Sequence, residues 1–255
     1  MSAATPHRMP EPSRERLAPA AADYRWLLDR GYPDQGSLRL VGDRYRLSGT
    51  ERNTLFRGVF SAEDSVRRAA RLVDPGGETR DPDCDLTVDG HNVLFTVWNC
   101  LAGRPMVLAT DGFVRDIGGT RSRLPHDERF DRVARHLCKT LAALPTGRVT
   151  VLLDDPLPWS REHGGVIERV WGEVSAGRGS ALTVVTERSV DATVAATREG
   201  LIATSDTAIV DRCSARVFDL GGWIATHDLN AHPLPMADLV NGERVERLHR
   251  RKHED

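Results

Sequence analysis

The 255-residue chain lacks most of the features that assign a protein to a class at once. Its four cysteines form no Cys-x-x-Cys pair, so the usual zinc-ribbon spacing is absent. No apolar run approaches the roughly 20 residues that cross a bilayer. Residues 1–16 lack the apolar segment of a secretory signal. These absences predict a cytoplasmic protein with reduced thiols and no membrane partner.

The chain also lacks a charge surplus and the best-known catalytic motifs. Its net charge is −2, so no overall basic excess marks a nucleic-acid partner. There is no Gly-x-Gly-x-x-Gly after the first strand, no Walker P-loop and no Gly-x-Ser-x-Gly elbow. Position 91 is histidine, which disfavours a phosphatase of the Asp-x-Asp type. Dinucleotide-binding, P-loop and serine-hydrolase functions are therefore disfavoured.

Two folded parts are predicted, with a boundary at residues 74–83, where proline, glycine and acidic residues are dense. Residues 38–47 fit either a short hairpin or another helical turn. The predicted parts are a disordered lead-in (1–17), a small, mainly helical domain (18–80), an α/β domain (84–222) and a C-terminal extension with a charged tail (223–255).

After the boundary, short aliphatic runs alternate with helical stretches. Continuous apolar runs are typical of strands buried on both faces. Their alternation with helices predicts a mostly parallel central sheet with helices on both faces. The predicted strands are residues 86–88, 106–109, 149–153, 182–185, 201–203 and 216–218, and the predicted helices are residues 93–101, 127–144, 161–175, 191–199 and 207–214.

Aspartates follow most of these predicted strands. The carboxyl ends of parallel strands meet at one edge of a sheet, which is where open α/β sheets bind ligands. Carboxylates crowded there would repel each other unless a hard cation such as Mg²⁺ or Mn²⁺ bound them. Each aspartate also fits a helix N-cap or turn, so that alternative stays open. The aspartates are Asp89, Asp111, Asp154, Asp191, Asp206 and Asp211.

Other polar residues near these positions are candidate substrate contacts. Asn92 and Ser205 can orient a carboxylate or contact a phosphate, and each can also be a cap or a local support. Arg121 and Arg123 lie in a glycine-rich basic loop that fits either phosphate binding or a solvated surface. His91 is a candidate base, although packing is the commoner role for a lone histidine.

The sequence resembles the PIN-like nucleases, especially the NYN branch, which often shows Asp-Gly-Tyr-Asn in the first strand and a late Thr-Ser-Asp. The resemblance covers roughly residues 84–222. His91 stands where that branch often has tyrosine, and residues 110–116 end an extra strand-like run that the motif does not predict. The runs that carry the resemblance are Val88-Asp89-Gly90-His91-Asn92-Val93, Leu152-Leu153-Asp154, Ser189-Val190-Asp191 and Ala203-Thr204-Ser205-Asp206.

The resemblance implies a metal-dependent nuclease that hydrolyses RNA or DNA with a metal-activated water. It implies that Asp89, Asp154, Asp191 and Asp206 are Mg²⁺ or Mn²⁺ ligands or support them. RNA is the favoured partner, and homo-oligomerisation is left open. The whole chain is also similar to an uncharacterised prokaryotic family in which a small N-terminal domain precedes a PIN-like half. Residues 27–33 and 44–48 carry that similarity.

Two other readings remain open. In the first, the protein is an inactive nucleic-acid-binding or scaffold module whose N-terminal arginines grip phosphates beside Trp26 and Tyr45. The same arginines can equally pair with acidic neighbours on solvated helices. In the second, the protein is a metal-dependent enzyme that acts on a small phosphorylated molecule. The arginines are Arg25, Arg30, Arg39, Arg44, Arg46, Arg52 and Arg57.

Overall fold

The computed structural model describes residues 14–74, 84–117, 123–175 and 181–241. They divide into two compact units, which we describe separately. Unit 1 consists of Met1–Ala70, Ala102–Arg121 and His232–Asp255, and unit 2 consists of Arg71–Leu101 and Ser122–Ala231. The chain therefore leaves unit 2, contributes a segment to unit 1 and returns. This division differs from the contiguous parts predicted, because residues 102–121 and the last segment belong with the N-terminal helices.

The helices, in chain order, are α1 (Arg14–Leu28), α2 (Asp34–Arg44), α3 (Gly49–Gly58), α4 (Ala62–Ala69), α5 (Gly90–Leu101), α6 (Glu128–Ala143), α7 (Ser160–Val174), α8 (Val190–Ala196), α9 (Thr207–Arg212) and α10 (Leu220–Trp223), followed by a π-helical turn at Ile224–Asp228. The strands are β1 (Leu86–Asp89), β2 (Met106–Leu108), β3 (Val114–Asp116), β4 (Val149–Asp154), β5 (Leu182–Glu187), β6 (Leu201–Ala203), β7 (Arg216–Phe218) and β8 (Leu234–Pro235). Within the described ranges, no helix is long and apolar enough to span a membrane.

Unit 1 packs α1 to α4 with a small sheet in the order β3-β2-β8. Ser48 and Glu51 form a capping box at the start of α3, in which each side chain accepts a hydrogen bond from the backbone N–H of the other residue. Ser61 caps α4 in the same position. Helix α2 resolves the open prediction for residues 38–47 in favour of a helix. An apolar core lies within this unit and includes Leu17, Tyr24 and Leu55.

The sheet of unit 2 is parallel throughout, in the order β5-β4-β1-β6-β7. The predicted mostly parallel sheet flanked by helices is therefore confirmed. Strand β1 lies at the centre, with β4 on one side and β6 on the other. The chain builds outward from β1 through β4 to β5 and then crosses to β6. The strand order reverses between β1 and β6, which is where open α/β sheets place their ligands.

Two glycines permit close backbone approaches in unit 2. A Cβ on Gly90, the first residue of α5, would lie 2.6 Å from the carbonyl oxygen of Leu152 in β4. Gly200 has a φ of +81°, and a Cβ there would lie 2.3 Å from the carbonyl oxygen of Asp85. Any side chain at either position would push β1 and its neighbours apart. These glycines therefore hold the strands on both sides of β1 close together.

The prediction for residues 106–109 was wrong in its placement. This run forms β2, which pairs antiparallel with β3 and parallel with β8 in unit 1. Val107 is buried in the unit 1 core, whereas Leu108 is exposed. A short apolar run records that a strand is buried but not which sheet it joins.

Candidate functional site

Three of the predicted aspartates lie at the carboxyl ends of adjacent strands. Asp89 is the last residue of β1, Asp154 is the last residue of β4, and Asp206 lies three residues beyond β6. Because these strands are neighbours in the order β4-β1-β6, the three carboxylates gather at one edge of the sheet. The gathering spans the point where the strand order reverses.

Asp89 lies at the buried end of this group, with 4% of its surface exposed. The Thr204 hydroxyl donates a 2.8 Å hydrogen bond to its Oδ2, and the Asn92 amide donates a longer bond, 3.4 Å, to its Oδ1. The pKa of Asp89 is raised to about 7. Burial is the largest cause, the two hydrogen bonds lower the pKa, and the negative charges of Asp206 and Asp154 raise it.

Asp206 combines a structural role with its place in the cluster. Its Oδ1 accepts hydrogen bonds from the backbone N–H groups of Ala208 and Ile209, which makes Asp206 the N-cap of α9. Its own N–H donates to the Thr204 hydroxyl at 3.1 Å. Asp206 is therefore the N-cap of α9 and also one of the carboxylates at this edge of the sheet, and its role as a metal ligand stays a prediction. The cap fixes the direction in which the carboxylate faces.

Asn92 and Ser205 join the first and the late motifs of the site. The Asn92 Oδ1 accepts from the backbone N–H of Ser205 at 2.9 Å and from its hydroxyl at 3.1 Å. Asn92 and Ser205 were predicted to contact substrate, but in the structure they bond to each other, and Ser205 is buried. Both residues act on the site by holding the start of α5 against the loop after β6.

Asp154 is partly exposed and is held by His91. The His91 Nδ1 lies 2.9 Å from the Asp154 backbone nitrogen and 3.0 Å from its Oδ2. This ring nitrogen can accept from the N–H or donate to the carboxylate, but it cannot do both at once. The other ring nitrogen, Nε2, is buried and has no hydrogen-bond partner within the described ranges. His91 therefore links the ends of β1 and β4.

Asp191 lies at the solvent-facing side of the group. It follows the first residue of α8 and is exposed. Partial burial raises its pKa, and so do the charges of Asp206 and Asp154. The same two carboxylates act on Asp89, so Asp89, Asp154, Asp191 and Asp206 form one electrostatically coupled set. We call these four residues the acidic cluster.

Two predicted ligands do not join the acidic cluster. Asp111 belongs to unit 1 and is fully buried, and its carboxylate forms a bidentate ion pair with Arg115, with Nη–Oδ distances of 2.8 and 3.0 Å. Arg68 approaches its Oδ2 at 3.6 Å. Its oxygens are committed to guanidinium groups, so its prediction as a metal ligand was wrong. Asp211 lies near the exposed end of α9 and is not among the charges that act on Asp89 or Asp191.

The structure describes one of the two arginines that were predicted to contact a phosphate. Arg123 is exposed at the start of the segment that leads into α6. Arg121 lies outside the described residues, so its prediction stays a prediction.

The donor chemistry of the acidic cluster fits a hard divalent cation. Carboxylate oxygens are the ligands that Mg²⁺ and Mn²⁺ prefer, and a cation would relieve the repulsion that raises the pKa of Asp89. Across residues 14–74, 84–117, 123–175 and 181–241, however, no three His, Cys, Asp or Glu side chains are grouped closely enough to enclose an ion. A cation that fits here has one or two carboxylate ligands, with water or substrate oxygens completing its shell, as is common for Mg²⁺.

Two aromatic residues of unit 2 were not among the sequence-based predictions. His126 and Trp159 form a stacked pair of exposed rings in unit 2, and neither belongs to a recognisable motif. The one available signal was the position of Trp159, directly before α7 and five residues after Asp154.

Comparison with known proteins identifies the family but names no activity. Residues 82–223, more than half of the chain, match the family described as "Domain of unknown function (DUF5616)". The chain belongs to this family. All four residues of the acidic cluster lie within the DUF5616 match. Residues 16–71 match a second family, described as "Protein of unknown function (DUF434)".

One curated relative is the "Uncharacterized protein MJ0935" of Methanocaldococcus jannaschii. It is 27% identical over 125 residues, which is 48% of this chain. The match covers 57% of the relative's own length. No solved structure matches the chain. Both matched families are described as being of unknown function, so the resemblance to PIN-like nucleases remains a prediction.

Proposed function

We propose that this DUF5616 protein is a metal-dependent nuclease that hydrolyses phosphodiester bonds, with RNA as the favoured substrate and DNA as the alternative. The observation that carries the proposal is the convergence of the acidic cluster at the edge where β4, β1 and β6 end. Four coupled carboxylates, one of them buried, are costly to maintain. A bound divalent cation, with a phosphate of the substrate, would offset the repulsion between these carboxylates.

The residues of the cluster divide the work by their burial. Asp89, fixed by Thr204 at the base, would hold a cation on the side away from solvent. Either Asp154 or Asp206, at the neighbouring strand ends, would supply a second ligand, and the other would orient bound water. Asp191 would act at the open side, where substrate enters. When bound, Mg²⁺ or Mn²⁺ would supply charge stabilisation at the phosphoryl group and a lowered pKa for a bound water.

The proposal extends to location and partners. The residues in the described ranges contain no membrane-spanning helix. We propose further that the protein acts on nucleic acid in the cytoplasm.

A non-catalytic nucleic-acid-binding module is the second candidate function. It is favoured by one observation: no group of three or more metal-donor side chains is preformed in the part of the chain that the structure describes. In that case Asp206 would serve as the cap of α9, and Asp89 would support the start of α5. Binding of nucleic acid without cleavage in any divalent metal would favour this candidate.

Neighbouring aspartates provide a matched test of the nuclease. Asp154 belongs to the acidic cluster, whereas the next residue, Asp155, pairs with Arg161 at 3.3 Å. Cleavage of end-labelled RNA and DNA would be followed with Mg²⁺, Mn²⁺ or EDTA. We expect metal-dependent cleavage to be lost in Asp89→Asn, Asp154→Asn and Asp206→Asn and to persist in Asp155→Asn. Equal cleavage by Asp154→Asn and Asp155→Asn would contradict the proposed site.

A further inference from the structure

An exposed pair of stacked rings lies in the loops of unit 2. The rings of His126 and Trp159 have centroids 4.6 Å apart and planes inclined by 10°. Trp159 leaves 49% of its surface exposed, and His126 is also exposed. An exposed tryptophan loses the stabilisation that burial of its ring would bring. The pair therefore presents an open, flat aromatic surface to solvent.

This surface is tied to the acidic cluster by a short, well-bonded loop. Trp159 lies five residues beyond Asp154, the carboxylate that ends β4. The Ser160 hydroxyl donates to the Asp154 carbonyl oxygen at 2.5 Å, and the Leu157 N–H donates to the same oxygen at 3.1 Å. The loop is thus anchored at the residue that belongs to the cluster. Five residues of chain therefore connect the stacked pair to Asp154.

The backbone at Trp159 adopts a conformation that tryptophan disfavours. Its φ of +68° lies in the left-handed region, where glycine and asparagine are favoured and bulky side chains are uncommon. Trp159 is also the N-cap of α7, but its side chain makes no capping hydrogen bond. Neither the backbone nor the helix gains from tryptophan at this position. Such conformations cluster at functional sites, where the side chain serves another purpose.

Two cationic side chains approach this loop from the elements beside it. Arg161, in α7, and Arg188, directly after β5, approach the carboxylate of Asp155 at 3.3 and 4.0 Å, and both are highly exposed. On the His126 side, Asp127 is paired with Arg129. Stacking is therefore the main attraction that this surface offers, with two exposed guanidinium groups beside it.

We propose that His126 and Trp159 form a stacking platform for a base of single-stranded nucleic acid, with Arg161 and Arg188 contacting the adjoining phosphates. The proposal rests on the proposed function and extends it by naming where the substrate strand is held. A flat π-surface with nearby guanidinium groups is the combination that binds single strands with little sequence preference. The platform would place the following phosphodiester near the acidic cluster.

The test is binding of a fluorescein-labelled oligouridine RNA of about 12 nucleotides, a length that covers a typical single-strand site. EDTA prevents cleavage, and fluorescence anisotropy reports the Kd. We expect Trp159→Ala to weaken binding about tenfold and Trp159→Phe to stay near wild type, because phenylalanine keeps a π-face. The matched control is Tyr32→Ala in unit 1, because Tyr32 is an aromatic residue of similar exposure, at 55%. This control is expected to bind as wild type does.

Trp159→Gly separates binding from folding. Glycine adopts the left-handed backbone readily, so this variant should melt at a temperature equal to or above that of wild type while it loses the same affinity as Trp159→Ala. An RNA with abasic sugars should bind wild type and Trp159→Ala equally, because no base remains to stack. If wild type cleaves RNA but Trp159→Ala binds it with unchanged affinity, the platform is overturned while the nuclease stands. If wild type neither binds nor cleaves, both fall.

Discussion

Asp89 and Asp111 have nearly the same local sequence and opposite surroundings. Each follows an apolar run, precedes a glycine and is buried, in units 2 and 1 respectively. Asp111 is neutralised by Arg115 and approached by Arg68, and both guanidinium groups lie over the ring of Phe60. Asp89 instead faces other carboxylates, and the pKa of its own carboxyl group is raised to about 7. One aspartate is paired with arginines, and the other is buried beside further carboxylates.

The comparison shows that burial of an aspartate does not by itself indicate function. A buried carboxylate with paired guanidinium groups maintains a fold, because removing either partner leaves an uncompensated charge. A buried carboxylate that other carboxylates repel is destabilising until a proton or a cation joins it. Neighbouring charges therefore decide which aspartate is a candidate for chemistry, and substitutions at the two positions should have opposite effects on stability.

The largest effect is expected for Asp111→Asn. Asparagine keeps the shape but removes the buried carboxylate that pairs with Arg115 and approaches Arg68, which should lower the free energy of unfolding by about 3–5 kcal/mol. Urea unfolding would measure the change, and hydrogen exchange at the amides of α3 and β2 would place it in unit 1. A loss below about 1 kcal/mol would show that this ion pair does not hold the unit together.

Asp89→Asn should have the opposite sign. In the metal-free protein, the folded state keeps a proton on Asp89 that the unfolded state loses, because the pKa is about 7 in the folded state and 3.8 in the reference state. Wild-type stability should therefore fall as pH rises from about 4 to 7 and then level off. The total from this group is up to about 4 kcal/mol.

The Asp89→Asn variant has no proton to lose at this position. At pH 8 without metal it should be more stable than wild type, whereas at pH 4 the two should be similar. Thermal unfolding of both proteins across this pH range is the measurement, with Asp155→Asn as a control that keeps the wild-type slope. An Asp89→Asn variant that is less stable than wild type at pH 8 would refute the assigned environment.

A smaller effect is expected at Thr204, which is fully buried between two members of the acidic cluster. Its hydroxyl donates to Asp89 and accepts from the backbone N–H of Asp206. Thr204→Val should cost about 1–2 kcal/mol of stability. It should also raise the pKa of Asp89 above the wild-type value, because a hydrogen bond that favours the ionised form is lost.

Thr204→Ser is the control because serine keeps the hydroxyl. Carboxyl ¹³C NMR titration would compare the pKa of Asp89 in the three proteins. If valine and serine give the same pKa, the Thr204 hydroxyl does not act on Asp89.

The smallest effect is expected for Asp155→Asn. Its partners Arg161 and Arg188 are exposed, and ion pairs in such surroundings contribute little. The free energy of unfolding should change by less than about 0.5 kcal/mol in urea denaturation. This variant gives the change in unfolding free energy for an exposed ion pair, with which the changes at Asp89 and Asp111 are compared. A loss as large as that of Asp111→Asn would remove the distinction between buried and exposed pairs.

The strands and much of the acidic cluster were predictable because their signals are local. Aliphatic runs marked the parallel strands, and Asp89, Asp154 and Asp206 follow strands whose carboxyl ends must meet. The placement of Asp111 was not predictable in the same way. Its fate depends on pairing with Arg115 in β3 and Arg68 in α4, and on β2 joining a different sheet. Arg115 is only four residues away, but the approach of Arg68 and the pairing of β2 with β8 are long-range and leave no periodic trace in the chain.

His91 and Trp159 show two further limits. A lone histidine gives no sign that its ring will meet the end of a strand 63 residues later, as it does at Asp154. The left-handed backbone of Trp159 is a property of the folded loop, and tryptophan is not a residue that predicts it. Both depend on tertiary structure.

The most direct test of the account is calorimetric titration of Mn²⁺ into wild type and into the Asp89→Asn/Asp206→Asn double variant. Each protein would be saturated with a cleavage-resistant phosphorothioate oligonucleotide, so that substrate oxygens can complete the metal's shell. The account predicts saturable Mn²⁺ binding to wild type that is lost in the double variant. Identical heats for the two proteins would contradict a metal site at the carboxyl ends of β1 and β6.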